Sequence, residues 1–337
     1  MVRLGKIAID MPAVQAALSG YSDLPMRRVA RTWGAGFCFN EVVLDRTVLT
    51  KGKGRRRALF VARDDHPIGG QLMGAVPETF GEAANEMVAA GYDLIDINFG
   101  CPVNKALGRC RGGYHLSQPA VALDIVRRVI DACAGRVPVT VKMRRGLDAS
   151  MGSERHFFEI LDGAFALGIS AVTVHGRTVR QKYVGASDWR FLARVKEHVG
   201  DRTMLGSGDL FTPQDIKRMM EMAGVDGVTV ARGCIGNPWI FQQTRELLAG
   251  REPMSPTVEQ QRVAIQSHWA HAVEVYGEKM AVRKTRTHAI KYARLHPEPV
   301  LVRDAFVTAK GQAELQAVLD RWYASYSDDR VCEQAIR

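Results

Sequence analysis

The sequence predicts a closed (β/α)8 barrel, the TIM-barrel architecture, followed by a small all-helical domain. Three observations carry that expectation. Over residues 1–248, eight short apolar runs of β character alternate with helix-like stretches. That is the pattern of parallel strands joined by helical crossovers, and eight such units match the closed barrel. No Gly-x-Gly-x-x-Gly turn opens the chain, as a doubly wound open sheet would want. After Leu248 the β-like runs stop and only helical periodicity continues.

The strand candidates, in order, are Ile7–Leu18, Gly36–Val42, Ile68–Met73, Leu94–Asn98, Val137–Met143, Ala171–Val174, Thr203–Gly206 and Gly227–Val230. Between them, apolar residues three and four apart predict helices over Glu78–Ala90, Ala120–Cys133, Ser153–Leu167, Trp189–His198 and Pro213–Met222. Ser153 is the expected cap of its helix, Thr212-Pro213 places an N-cap before a proline at N1, and Gly91, Gly168 and Gly224 end helices. Gly250, Pro253, Ser255 and Pro256 read as a linker. Beyond it, Val258–Tyr276, Met280–Arg294 and Ala313–Tyr326 are helix-like. The expected division is therefore a barrel domain over 1–248 and a helical domain over 249–337.

The 337 residues are 46% hydrophobic and 24% charged, an ordinary globular composition that excludes disorder, collagen and coiled coil for the whole chain. No apolar run is long enough for a membrane span, and Asp10 interrupts the segment after Arg3 and Lys6, so neither a membrane partner nor an export signal is expected. The six cysteines form no CxxC pair and fit no zinc template, so a reducing cytoplasm is expected and a metal is not. A monomer is expected. Lys plus Arg exceed Asp plus Glu by ten, 46 against 36, which favours a polyanionic partner.

In such a barrel, chemistry sits at the C-terminal ends of the strands. The polar and Gly-rich punctuation falls there: Ala16-Ala17-Leu18-Ser19-Gly20, Asn40-Glu41, Gly70-Gln71, Asp96-Ile97-Asn98-Phe99-Gly100-Cys101-Pro102, Lys142-Met143-Arg144, His175-Gly176-Arg177-Thr178, Ser207-Gly208-Asp209 and Ala231-Arg232-Gly233. Chance would bring one or two such groups to one rim. The turns after the last two strands can offer backbone N–H groups to a phosphate, with Arg232 adding a charged fork; otherwise they are tight turns with a solvated arginine. Lys142 leaves an apolar strand, so it either snorkels to the rim or meets an anionic partner such as the N1–C2=O edge of a flavin, which becomes negative on reduction. His175 suits a ring-edge hydrogen bond, and Asn98 and Gln71 offer paired amides for an imide edge. Cys101 sits in a Gly-Cys-Pro turn, with the next helix expected only after Gly112-Gly113. It reads as a general acid, a nucleophile or a packed small residue.

The positive charge is concentrated in two segments. Lys51, Lys53, Arg55, Arg56 and Arg57 lie within seven residues, and 279–303 holds Lys279, Arg283, Lys284, Arg286, Lys291, Arg294 and Arg303 against Glu298. Three-and-four spacing puts several of the latter on one helix face, suited to a phosphate backbone.

Together these residues resemble the tRNA-dihydrouridine synthase family, and within it most of all the bacterial B-type branch, over about Ala16 to Tyr292. The most specific pieces are Asp96–Pro102 followed by Lys105, Val141-Lys142-Met143-Arg144, His175-Gly176-Arg177-Thr178 with Ser187-Asp188-Trp189, and Ala231-Arg232-Gly233 with Gly236–Phe241. The resemblance implies an FMN enzyme in which NADPH or NADH reduces the flavin. A D-loop uridine of tRNA is flipped out, hydride reaches its C6, and Cys101 protonates C5. Residue by residue, it puts FMN contacts on Ala17, Leu18, Ser19, Gln71, Asn98, Lys142, His175, Ser207, Gly208, Asp209, Ala231 and Arg232. It puts tRNA contacts on Lys105, Arg144, Arg177, Arg283, Lys284, Arg286 and Lys291.

The sequence departs from the family pattern in four places. Ala16–Gly20 stands for Ala-Pro-Met-Ala-Gly, Ser207 for Asn, and Ala231 for Gly. Arg111-Gly112-Gly113-Tyr114-His115 replaces small residues at what the resemblance implies is the substrate mouth. Two other readings share parts of this pattern. One is a small-molecule FMN pyrimidine oxidoreductase of the dihydroorotate-dehydrogenase kind, which would not need the basic segments. The other is an RNA-binding relative without catalysis, against which Cys101, Lys142 and His175 argue.

Overall fold

The protein is represented by a computed structural model that describes residues 1–324. Cys332 and the end of the expected helix Ala313–Tyr326 lie outside the described residues. Eight strands form the barrel: β1 (Ala13–Gln15), β2 (Cys38–Phe39), β3 (Ile68–Met73), β4 (Leu94–Phe99), β5 (Val139–Arg144), β6 (Ala171–His175), β7 (Met204–Ser207) and β8 (Gly227–Val230). Each pairs in parallel with its neighbour in the chain, and β8 pairs with β1 to close the ring. Every residue of β3 and β4 is buried. Those strands face the barrel interior on one side and helices on the other, which is why they read as near-continuous apolar runs.

The first expected strand is not continuous. Its start, Ile7–Ile9, pairs antiparallel with Val2–Leu4, and β1 begins only at Ala13. Pro12 between them has no N–H to donate to a ladder. Val2, Leu4 and Ile9 pack with Leu94, Ala171 and Leu205, residues that start or nearly start their strands, so the hairpin closes the N-terminal end of the barrel. The second expected strand shrinks to Cys38–Phe39, with Val43–Leu44 pairing separately with β3.

Among the helices, Ser150 rather than Ser153 caps Met151–Leu167: its hydroxyl accepts the N–H of Ser153. Thr212 and Asp215 form a reciprocal capping box at Pro213–Ala223. Leu24–Thr32, Ile240–Leu248 and Pro299–Thr308 are helices that periodicity alone did not mark. Leu24–Thr32 carries Arg27, Arg28 and Arg31 and so reads as polar. Its start is nevertheless written in the sequence, because the Asp23 carboxylate accepts the N–H of Met26 and Pro25 lies in the first turn.

Residues 251–257 have no regular structure, and among the described residues four α-helices follow: Val258–Tyr276, Glu278–Tyr292, Pro299–Thr308 and Gln312–Trp322. Their core of Ile265, Ala289, Tyr292, Val302, Phe306 and Leu319 also takes in Val29 from the first barrel helix. Polar contacts complete the docking. Arg28 Nη1 lies 2.7 Å from Glu274, and the Tyr276 hydroxyl donates to Asp23 at 2.8 Å.

Candidate active site

The parallel register sets the site. It places Gln71 beside Asp96 and Asp96 beside Thr140 at one level of the barrel, then Asn98 beside Lys142, and at the rim Arg144 beside His175 and His175 beside Ser207. Above these side chains opens a cavity of about 570 Å³. Ala17, Leu18, Ser19, Gln71, Asn98, Lys142, His175, Ser207, Gly208, Asp209, Ala231 and Arg232 all line it, together with Cys101, Arg144 and Lys291.

A hydrogen-bond chain fixes the amides. Thr140 Oγ1 donates to Asp96 Oδ1 (2.6 Å) and Gln71 Nε2 to Asp96 Oδ2 (2.7 Å). With its NH2 committed to Asp96, Gln71 presents Oε1 to Asn98 Nδ2 at 2.7 Å. Asn98 Oδ1 in turn accepts the backbone N–H groups of Gly100 (3.0 Å) and Cys101 (2.9 Å). The buried carboxylate thus orients two side chains and the turn that carries the thiol. Burial pushes Asp96 up to about 6, against the pull of Thr140, Gln71 and Lys142. Asp96 has no counterpart among the sequence-derived site residues, because its role depends on which strands become neighbours.

Lys142 Nζ reaches Ser207 Oγ at 3.3 Å. Burial pushes its amine down to about 8, with Asp96 opposing and Arg144 reinforcing the shift. His175 is driven down to about 2 by burial first and then by Lys142 and the surrounding arginines, so it is neutral. Its Nδ1 accepts the N–H of Arg177 at 3.1 Å, which leaves the ring proton on Nε2 as a donor.

Cys101 is half-buried, and burial raises its thiol pKa against the backbone N–H of Val103 and the charge of Arg144. The thiol is therefore protonated near neutral pH. The same N–H and guanidinium would steady the thiolate left after proton loss. The turn is tightly built. Gly112 has φ +58°, and a Cβ there would come 2.7 Å from that of Cys101. The chain after the turn does not wait for Gly112-Gly113 to become helical, because Asn104–Leu107 already forms one turn.

On the opposite rim, Gly208 adopts φ +112°, and a Cβ there would lie 3.0 Å from His175 Cε1. The Asp209 carboxylate is held by Arg177 Nη2 (2.7 Å), the N–H of Ser187 (2.8 Å) and Arg232 Nη2 (3.3 Å). Arg232 stacks on Tyr183 and Phe211 at 4.7 and 5.2 Å. Tyr183, Phe211 and Arg294 are cavity residues without a place in the sequence-derived set. The two aromatics are loop residues that no periodicity marks.

The expected tRNA-contacting residues divide. Arg144 faces the cavity while donating to the carbonyls of Gly100, Thr178 and Lys182. Arg177 is corrected: at 3% exposure, with its Nε on the Gly185 carbonyl, it braces the rim and has no free face for RNA. Lys284 pairs with Asp23 at 3.3 Å and Arg286 donates to the Ala309 carbonyl, so both are committed within the protein. Arg283, Lys291 and Lys105 are exposed. His115 is corrected as well. At 1% exposure its Nε2 faces the Gly74 carbonyl at 3.0 Å and its ring packs on Phe99, which puts it in the core and not at a mouth.

Among the described residues, Asp23, His268 and His288 could supply ligand atoms to one metal. There Asp23 is held by Tyr276 and Lys284, whose positive charge opposes a cation.

A family model for dihydrouridine synthases matches residues 14–326. The chain is 30% identical to a probable tRNA-dihydrouridine synthase of Rickettsia conorii, over 96% of this chain and 97% of that one. It is 32% identical to a probable tRNA-dihydrouridine synthase of Mycobacterium tuberculosis, over 95% and 84%. It is 32% identical to tRNA-dihydrouridine synthase B of Pseudomonas aeruginosa, over 88% of both. Among solved structures, histamine dehydrogenase from Rhizobium sp. 4-9 aligns with a TM-score of 0.59 at 15% identity, over 80% of this chain and 50% of that one. An old yellow enzyme homologue from Zymomonas mobilis aligns at 0.53 and 13% identity, over 77% and 94%. At those identities the likeness is one of fold.

Proposed function

This chain belongs to the tRNA-dihydrouridine synthase family, and on that premise we propose that it binds FMN in the barrel cavity and reduces the C5=C6 bond of a D-loop uridine, with NADPH or NADH as reductant and Cys101 as proton donor. One observation carries the reading. The Lys142 amine, the His175 imidazole, the hydrogen-bonded Gln71–Asn98 amide pair and the Cys101 thiol converge on one cavity.

The residues present fit the cofactor. Lys142 and the Nε2–H of His175 would offer a cation and a donor to the N1–C2=O edge, and Gln71 and Asn98, already tied to Asp96 and to each other, would offer their remaining N–H groups to the imide edge. The Thr229 hydroxyl is buried in the same wall with no partner among the described residues. The turns at Ser207-Gly208-Asp209 and Ala231-Arg232, with the Arg232 guanidinium, would hold the phosphate. When bound and reduced, FMN supplies the hydride.

The chain's own residues do the rest. Asn98 fixes the Cys101 turn, so the thiol is held at one position. Burial keeps that thiol protonated until C5 of the substrate becomes basic. The Val103 N–H and Arg144 then receive the thiolate. A wet cytoplasmic surface alone would not set these protonation states. The exposed Arg283, Lys291, Lys51, Lys53 and Arg56 supply the positive face for RNA, while Arg55 and Arg57 are tied to Glu86 and Glu41. The barrel is expected over 1–248 and the RNA-binding helices over 249–337.

Incubating the purified chain with NADPH and an unmodified tRNA transcript should produce dihydrouridine. Its absence at every D-loop position, with flavin bound, would overturn the reading.

Lys142 gives a pH test. Its pKa lies below the unfolded value of 10.5, so between about 8 and 10.5 the unfolded chain holds more protons and the ligand-free fold gains stability as pH rises. Binding moves the other way, because an uncharged amine attracts the partly negative N1–C2=O acceptor of oxidised flavin less than an ammonium does. FMN affinity should fall above about pH 8, and a Lys142→Met variant should bind weakly without that inflection. Titrations of flavin fluorescence from pH 7 to 9.5 decide it. An inflection surviving in the variant would assign it to another group.

A further inference from the structure

A second cavity of about 600 Å³ adjoins the first, sharing Ser19, Val42 and Val103 with it. It opens between the Cys101 turn, the segment carrying Lys53–Ala58 and the end of helix Val258–Tyr276. Its charges are unbalanced. Arg27 is paired with Asp65, Arg57 with Glu41, and Asp23 is occupied by Tyr276 and Lys284. Arg111 is left over. It is 7% exposed, its Nε is buried without a hydrogen-bond partner, and no carboxylate among the described residues pairs with it. Enclosing a guanidinium in this way is costly unless an anion meets it. The exposed Lys105 and Arg109 line the same cavity, Phe60 stands at its wall at 56% exposure, and the exposed Lys51, Lys53 and Arg56 flank it in the chain.

We propose that this cavity is a phosphate subsite for the RNA strand that feeds the active cavity, with Arg111 as its anion-binding side chain. The proposal rests on the tRNA reading above. Three features favour a strand over a free anion. The subsite is continuous with the cavity that takes the reacting base, its approach is cationic over several residues, and Phe60 offers a face on which a base can stack. Arg111 needs no movement to serve. Its backbone N–H already donates to the Ala106 carbonyl, and two residues on, Gly113 donates to the carbonyl of Cys101, so the arginine and the thiol sit on one braced loop. An arginine in the loop that carries the proton donor would thereby set the register of the strand relative to the thiol.

The test uses the FMN-loaded protein and an unmodified tRNA transcript, with the dissociation constant measured over a series of salt concentrations. Arg111→Met keeps the stem and removes the charge. It should weaken tRNA binding about tenfold, as the loss of one charge-assisted contact does, and lower the salt slope by about one phosphate. Arg111→Lys should recover part of both. The rate at which NADPH reduces the flavin should not change. Arg109→Met, at an exposed position of the same cavity, should also lower the slope, and it keeps the test open if Arg111→Met does not fold. Wild-type affinity and slope in both charge-removing variants would overturn the subsite while leaving the functional reading intact. A raised half-saturation for NADPH with tRNA binding unchanged would overturn it too, by assigning the phosphate to the reductant. If the unaltered protein neither binds nor reduces tRNA, the functional reading falls and the subsite with it.

Discussion

Cys101→Ala is expected to slow uridine reduction by about 10²–10⁴-fold, the range that a positioned proton donor supplies, while FMN still binds and is still reduced by NADPH. The separation follows from geometry. Lys142, His175 and the Gln71–Asn98 pair hold one part of the cavity, whereas the thiol rides on the Gly-Cys-Pro turn. Cys101→Ser should be almost as slow, because a hydroxyl is a far weaker acid than a thiol. The measurement is the reoxidation of pre-reduced flavin on mixing with tRNA, followed by absorbance. Wild-type reoxidation in Cys101→Ala would end the assignment of the proton to this residue. A variant that no longer binds flavin would instead point to a structural role for the turn.

The second large effect is on stability. Asp65 is fully buried and accepts Arg27 Nε at 2.9 Å and Nη2 at 2.5 Å, with Arg31 Nε at 3.3 Å. Arg27 Nη1 also reaches the Ser22 carbonyl (2.7 Å) and Asn40 Oδ1 (3.0 Å). Asp65→Ala would leave the Arg27 guanidinium buried without a counter-charge, which costs about 3–5 kcal/mol. Replacing both partners by apolar residues, as in Arg27→Met with Asp65→Leu, should recover much of the loss, because the isolated charge is the costly species. Chemical denaturation of the three proteins measures this. A loss under about 1 kcal/mol for Asp65→Ala would mean that water reaches the pair. The network joins helix Leu24–Thr32 to Asn40 just after β2 and, through Asp65, to the segment that leads into β3. That helix also meets the C-terminal helices through Arg28 and Glu274, so the variant should loosen the junction between barrel and helices before the barrel itself.

The sequence by itself determined the barrel. Strands buried on both faces must be apolar throughout, and the helices between them must carry an apolar stripe, so both signals survive in one dimension. It also determined the rim. Asn98, Cys101, His175 and Arg232 stand where apolar runs give way to turns, Gln71 and Lys142 stand two residues before their strands end, and a parallel barrel gathers such positions at one end.

What the chain could not show locally is which partner each polar group acquires. Asp96, one residue in an apolar strand, becomes the anchor of Gln71 only because β3 and β4 lie side by side in that register. Arg177, Lys284 and Arg286 look like free cations along the chain, but the fold turns them onto Asp209, Asp23 and a carbonyl. Arg111 is the converse case, an arginine that the fold encloses and leaves without a partner for its Nε among the described residues. Charge and periodicity are properties of the chain, whereas pairing, burial and the protonation states that follow from them belong to contacts between residues far apart in it. Only the tertiary structure decides those.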